Sequence, residues 1–303
     1  MDTARPHGFS EHREDREAGR LVYPVFARRS GGLSLGINLF PDAKRCSFDC
    51  PYCEVFPFAG GEAFSLAALE EALEDLVRKA GPDDPPVRDL CLSGNGEPSL
   101  SPFLGGALEA CAKARSSHRA VLGGAKLVLI TNSTGFLDPA VASLIKGFCL
   151  REGLEVWAKL DSGTEEGFRA MSGTMMPFAP LVEALGAFAR ELPIVVQTML
   201  CRLGGRLPAD PGLDAYAGLL RRLLDGGARI REVHLYTKAR PSPLAGTEAL
   251  SDAELLAFAG RIGGQLRLAG RDLPLRVFGV GGELAIPGGV LGENAAGDGA
   301  GQP

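Results

Sequence analysis

The chain has no apolar run near the roughly 18 residues that a helical membrane span needs. Its opening, MDTARPHGFSEHREDREAGR, is polar and lacks the apolar core of a signal peptide, so a cytoplasmic protein with no membrane partner is expected. Histidine is scarce. The four, His7, His12, His118 and His234, stand at no usual metal-ligand spacing. Positive charge is short as well: net charge is −5 and the isoelectric point about 5.5, which argues against a protein built to lie along phosphate backbones. Local basic pairs survive at Arg28 with Arg29, Arg221 with Arg222, and Lys238 with Arg240, each otherwise an ordinary solvated face. Disulfide architecture is excluded too, because seven cysteines form an odd and scattered set.

What the chain does have is a regular alternation of strand-like and helix-like segments. LSLGINLF (33–40), DLCLSG (89–94), KLVLITN (126–132), LEVWAKLD (154–161), PIVVQTML (193–200) and REVHLY (231–236) read as strands, with PLRVFGV (274–280) as a closing edge. Between them, 65–80, 102–115, 138–149, 179–192, 213–227 and 251–269 carry helical periodicity, with Ser65 and Asp138 as N-caps. Short connections between six β-α units predict an α/β protein with a parallel sheet and right-handed crossovers. Within the strands one face is apolar. The other carries Ser34, Gly36 and Asn38, then Cys91, Ser93 and Asn95, then Trp157, Lys159 and Asp161, then Gln197 and Cys201, then His234, Tyr236 and Lys238. That pattern predicts a partial barrel with a polar interior open at the strands' C-terminal ends. The expected organisation is a flexible segment over 1–29, a core domain over 30–280 and a flexible tail over 281–303.

At the mouth of that interior stands KRCSFDCPYCEV, with Cys46, Cys50 and Cys53 spaced C-x3-C-x2-C. Closed zinc sites and electron-carrying clusters want four protein ligands, and no fourth is near. Three thiolates suit a [4Fe-4S] cluster with one iron left open for a small molecule. The four remaining cysteines, Cys91, Cys111, Cys149 and Cys201, stand singly. Cys111 and Cys149 read as helix core residues, while Cys201, with His234 and Tyr236, reads either as core or as a substrate contact.

This motif at the end of the first strand of a six-fold β-α barrel resembles the radical S-adenosylmethionine (radical SAM) superfamily, over roughly 33–280. The resemblance implies a partial (β/α)6 barrel of the radical SAM type. It implies two cofactors, a [4Fe-4S] cluster on Cys46, Cys50 and Cys53 and S-adenosyl-L-methionine on the open iron. An external electron donor of the flavodoxin or ferredoxin type would start the chemistry, and a 5′-deoxyadenosyl radical would abstract hydrogen from a substrate. By the same resemblance, Gly94, Asn95, Gly96 and Glu97 form the turn that receives the methionine amino group. Gly96 would allow the backbone to approach that group without a Cβ in the way. Tyr52 lies against adenine, Lys159 meets the methionine carboxylate or the ribose, and Asp161 and Asn132 lie near the ribose. No catalytic side chain is assigned.

SLGINLFP, LSGNGEPSL and VWAKLDSGT together look like the wyosine-synthase-like group, which acts on a transfer-RNA base. Two features depart from it: no cysteine precedes Cys46, so the second cluster of those enzymes is missing, and the chain is acidic. A tRNA base is thus one substrate class. A protein or peptide, as for activases, is another, and a non-catalytic iron–sulfur or zinc module is the non-enzyme alternative.

Overall fold

Alternate residues of β2 (Gly32–Asn38) divide between two environments. Leu33, Leu35 and Ile37 enter the main apolar core, whereas Ser34, Gly36 and Asn38 face the other way. The same division recurs in β3 (Val87–Ser93), β4 (Lys126–Thr131), β5 (Glu155–Lys159), β6 (Ile194–Met199), β8 (Ile230–Tyr236) and β10 (Leu275–Phe278). These strands run parallel to their neighbours in that order. The computed structural model describes residues 19–81 and 83–286.

Helices cover the apolar face: α1 (Leu66–Lys79), α2 (Leu104–Ser117) with the short α3 (Arg119–Leu122), α4 (Pro139–Glu152), α5 (Glu165–Ser172), α6 (Phe178–Glu191), α7 (Asp210–Asp225) and α8 (Asp252–Leu268). Their starts follow from local chemistry. Ser65 accepts the Ala68 N–H, Asp138 accepts those of Ala140 and Val141, and Ser251 with Glu254 closes a capping box. Each such cap contributes about 1 kcal/mol. The result is a curled sheet forming a partial (β/α)6 barrel, as the alternation predicts.

The edges differ from expectation. Val22–Ala27, inside the segment expected to be flexible, form β1, antiparallel to β2. Tyr23 explains it: its ring covers Gly36, where any Cβ would overlap it, and its hydroxyl bonds Ser93 Oγ at 3.1 Å. At the far edge β11 (Glu283–Leu284) pairs antiparallel with β10, inside the expected tail. The remainder of the two expected terminal segments, 1–18 and 287–303, lies outside the described residues. A two-stranded ribbon of β7 (Cys201–Leu203) and β9 (Thr247–Ala249) stands apart from the main sheet. Arg28 ties the two ends of the sheet, donating to the carbonyls of Gly279 and, at 3.1 Å, Thr237.

Candidate active site

The cysteine loop leaves β2 at Asn38, a fully buried amide that fixes its exit. Asn38 Oδ1 accepts the N–H groups of Phe40 (3.1 Å) and Asn95 (3.2 Å), and Asn95 Nδ2 returns a bond to the Phe40 carbonyl (3.1 Å). Seven residues on, Arg45 makes a single parallel bridge with Gly96. Its N–H donates to Asn95 O (2.9 Å), and its carbonyl accepts from Glu97 N–H (2.8 Å). A Cβ on Gly96 would overlap that Arg45 carbonyl. The missing Cβ of Gly96 therefore admits the cysteine loop itself. Gly94, at φ +123°, supplies the backbone turn that brings Asn95 beneath Asn38.

Glu97 is also spoken for. Its buried carboxylate accepts from Ser99 N (3.1 Å), Thr131 Oγ1 (2.6 Å) and Asn132 N (2.6 Å), joining the ends of β3 and β4. Burial pushes its pKa up, and these three donors pull it back. Asn132 then reaches the loop, donating through Nδ2 to Ser47 Oγ (2.8 Å) and toward Cys46 Sγ (3.7 Å). The loop's other side rests on the end of α5, where Asp49 N–H donates to Ser172 O (2.8 Å) and Gly173, at φ +64°, leaves room for the Asp49 carbonyl. The turn closes with Cys53 N–H on Cys50 O (2.9 Å).

The loop therefore has fixed ends and three thiols in between. Cys46 is exposed, while Cys50 and Cys53 are half-buried. Among the described residues no group of three or more His, Cys, Asp or Glu is already gathered to hold a metal ion. The donor set nonetheless fits an iron–sulfur cluster. All three thiols sit on one pinned loop, and Cys53 acts electrostatically on both Cys46 and Cys50. Burial pushes the Cys46 thiol up and that of Cys50 to about 12, so both are neutral until a cation takes their protons' place.

A second group forms across the mouth. Tyr52 donates its hydroxyl hydrogen to Asp161 Oδ2, whose other oxygen accepts Met199 N–H at 2.8 Å. Lys159 Nζ lies 3.4 Å from Asp161 Oδ2, 3.3 Å from the Tyr236 hydroxyl and 4.7 Å from the Tyr52 ring centroid. Burial works to lower the Lys159 pKa, but Asp161, Tyr236 and Cys50 outweigh it, and the ammonium stays charged. The expected residues Tyr52, Lys159 and Asp161 are thus brought together, with Tyr236 as a fourth member. They bond one another. Asn132, Gly94, Asn95, Gly96 and Glu97 instead gather at the ends of β3 and β4, where they hold the loop.

The interior holds a cavity of about 290 Å³, lined in part by Tyr52, Cys53, Glu54, Trp157, Met199 and Tyr236. Behind that lining, Gln197 accepts from Arg29 and bonds His234 Nδ1 through Nε2 at 2.7 Å, and His234 Nε2 bonds Glu232 Oε1 at 2.6 Å. Cys91 and Cys201 are buried on the inner face, in apolar groups with Trp157 and with Tyr52, Met199, Tyr236 and Phe278 respectively. Two participants had faint sequence signals. Asn38 is a polar residue ending an apolar strand, and Glu54 directly follows the last cysteine.

The fold has known counterparts and is of the radical SAM type. Similar solved structures include Streptococcus suis SuiB bound to S-adenosylmethionine (TM-score 0.58, 11% identity, covering 78% of this chain and 49% of that one). A radical SAM methyltransferase from Sphaerobacter thermophilus is similar at TM-score 0.57 and 14% identity, over 85% of this chain and 69% of that one. A spore photoproduct lyase variant follows at 0.51 and 10%, over 88% and 86%. In sequence the chain is 32% identical over 131 residues to the UPF0026 proteins of two Helicobacter pylori strains, a match covering 41% of this chain and 38% of each relative. No family model matches. No helix among the described residues is long and apolar enough to cross a membrane.

Proposed function

We propose that the chain is a radical SAM enzyme. The observation that carries this reading is the pinning of the C-x3-C-x2-C loop, by the Arg45–Gly96 bridge, to the mouth of a barrel of that type. Cys46, Cys50 and Cys53 would hold a [4Fe-4S] cluster, and S-adenosyl-L-methionine would complete it. When bound and reduced by an external flavodoxin- or ferredoxin-type donor, they supply a 5′-deoxyadenosyl radical for hydrogen abstraction.

The chain's own residues then have definite tasks. The turn 94–97 and Asn132 hold the loop rigid on one side. The Tyr52–Asp161–Lys159–Tyr236 group closes the other side and presents an aromatic face and a fixed cation. The cavity that Tyr52 and Tyr236 help to line would admit the substrate and limit water.

A transfer-RNA base is the substrate the sequence resemblance puts first, and the placement of the arginines argues against it. Of the three basic pairs only Arg221 and Arg222 remain fully exposed; Arg28, Arg29 and Arg240 line the cavity, and Lys238 is tied to Ser242 (2.7 Å) and Thr247 (3.0 Å to its carbonyl). Anaerobic reconstitution, reduction with dithionite and assay for 5′-deoxyadenosine test the reading. Equimolar 5′-deoxyadenosine and methionine are expected. Recovery of intact S-adenosylmethionine from a cluster-replete sample refutes it.

A further inference from the structure

Three guanidinium groups line the cavity and one carboxylate does. The carboxylate, Glu54, is committed to Arg240, accepting its Nη1 and its backbone N–H, both at 3.2 Å. Arg28 and Arg29 are held by neutral partners instead. Arg28 donates to two backbone carbonyls, while Arg29 donates to Gln197 Oε1 and lies over the Tyr236 ring at 4.4 Å. Among the described residues neither has a carboxylate within ion-pair distance, and Arg240 Nε is buried with no hydrogen-bond partner. Burial and the neighbouring Arg29 pull the Arg28 pKa down to about 10, against the opposing charge of Glu54.

The three guanidiniums are half-buried, and charge drawn partly out of water favours a nearby counter-charge. Neutral partners fix where these guanidiniums point without neutralising them. Such a cavity is arranged for an incoming anion, since guanidinium bonds to phosphate or carboxylate are about twice as strong as neutral ones. Its volume of about 290 Å³ is at the small end for ligand pockets. That size suits a compact molecule. Cys53 and Tyr52 line the same space, so an anion anchored there would hold the rest of the molecule against the cysteine loop.

We propose that this chamber binds a compact anionic substrate, gripped through a phosphate or carboxylate group by Arg28, Arg29 and Arg240. The proposal names the substrate class for the radical SAM reading above and rests on it for the chemistry, not for the binding.

Trp157, the chain's one tryptophan, lines the chamber and reports its occupancy without any cluster. The probes are sodium pyrophosphate and sodium succinate at fixed ionic strength, titrated into the full chain. A saturable change in Trp157 fluorescence with either one is expected, and the one that binds tells phosphate from carboxylate. Arg28 also ties the barrel's edges, so Arg29→Met and Arg240→Met carry the test. Each should weaken binding about tenfold or more, as loss of a charge-assisted pair implies. Arg221→Met, on the outer surface of α7, should leave it unchanged. No saturable change with either anion, or equal affinity in Arg29→Met, Arg240→Met and the parent, overturns the proposal. So does displacement of pyrophosphate by S-adenosylmethionine in equilibrium dialysis of cluster-loaded protein, which would assign the arginines to that cofactor. Salt-sensitive binding of tRNA without anion binding would overturn it in favour of an RNA substrate. Anion binding without S-adenosylmethionine cleavage refutes the radical chemistry and upholds the chamber. Cleavage without anion binding does the reverse.

Discussion

Gly96 shows that a motif glycine can be required by the protein's own backbone as well as by a ligand. The sequence marks it as a place where backbone must come close to something. The structure shows that the something is Arg45, through two main-chain hydrogen bonds. Gly96→Val therefore has a different expected outcome from one that merely blocks a ligand. The side chain drives the cysteine loop off the turn, overpacking costs about 1–3 kcal/mol, and the loop loses its fixed end. The variant should fold with a lowered melting temperature and retain little iron after reconstitution. Full iron content with weakened S-adenosylmethionine binding alone would restore the simpler explanation. Glu97 and Asn132 carry the same lesson, since their functional groups point at the loop and its neighbours.

Among the elements, β8 carries a buried histidine that is testable through pH. His234 is buried between Trp157 and Phe278, with ring centroids 5.1 Å away in both cases. Glu232 raises its pKa, Arg276 and Arg29 lower it, and burial dominates, leaving it below the ordinary value of 6.5. Gln197 donates to Nδ1, which leaves the proton on Nε2 facing Glu232. The folded protein thus keeps a neutral imidazole where the unfolded chain takes up a proton. Stability from this group is present above pH 6.5 and falls as pH drops toward the lowered folded value. The slope is at most about 1.4 kcal/mol per pH unit. Urea midpoints between pH 5 and 7.5 should show it, and His234→Gln should flatten it. An unchanged slope in the variant would place the titration elsewhere. The long elements were legible because their inner and outer residues alternate so cleanly. The edge strand β1 and the short helix α5 were not. β1 is recognisable only from its pairing with β2, and α5, though capped by Thr164, is too short to display a helical period.

For the whole molecule, the sequence already implied that the cysteines divide into one loop and four bystanders. Cys91 and Cys201 lie in separate apolar groups, and Cys111 and Cys149 sit on α2 and α4. Burial pushes all four thiols up, Cys111 and Cys201 to about 12 and Cys149 to about 11, as it does Cys50, but these four stand apart on separate elements and share no loop. Reconstituted protein should hold about four irons per chain, as one cubane cluster requires. All should disappear when Cys46, Cys50 and Cys53 are changed together to Ala. Roughly eight irons, or four persisting in the triple variant, would mean that the bystanders assemble a site of their own. What composition could not convey was where positive charge ends up. A net charge of −5 says nothing of three arginines turned inward on one cavity.

The bridge between Arg45 and Gly96 also sets an order of events during synthesis. The cysteines emerge from the ribosome well before the turn that positions them, and until residues 94–97 have emerged and β3 has docked beside β2 the loop has no fixed end. Its other rest, Ser172 at the end of α5, arrives later still. Iron delivered to the nascent chain would meet three thiols on a loose tether. Under the proposed iron–sulfur reading, the cluster would be inserted after the first four β-α units have assembled.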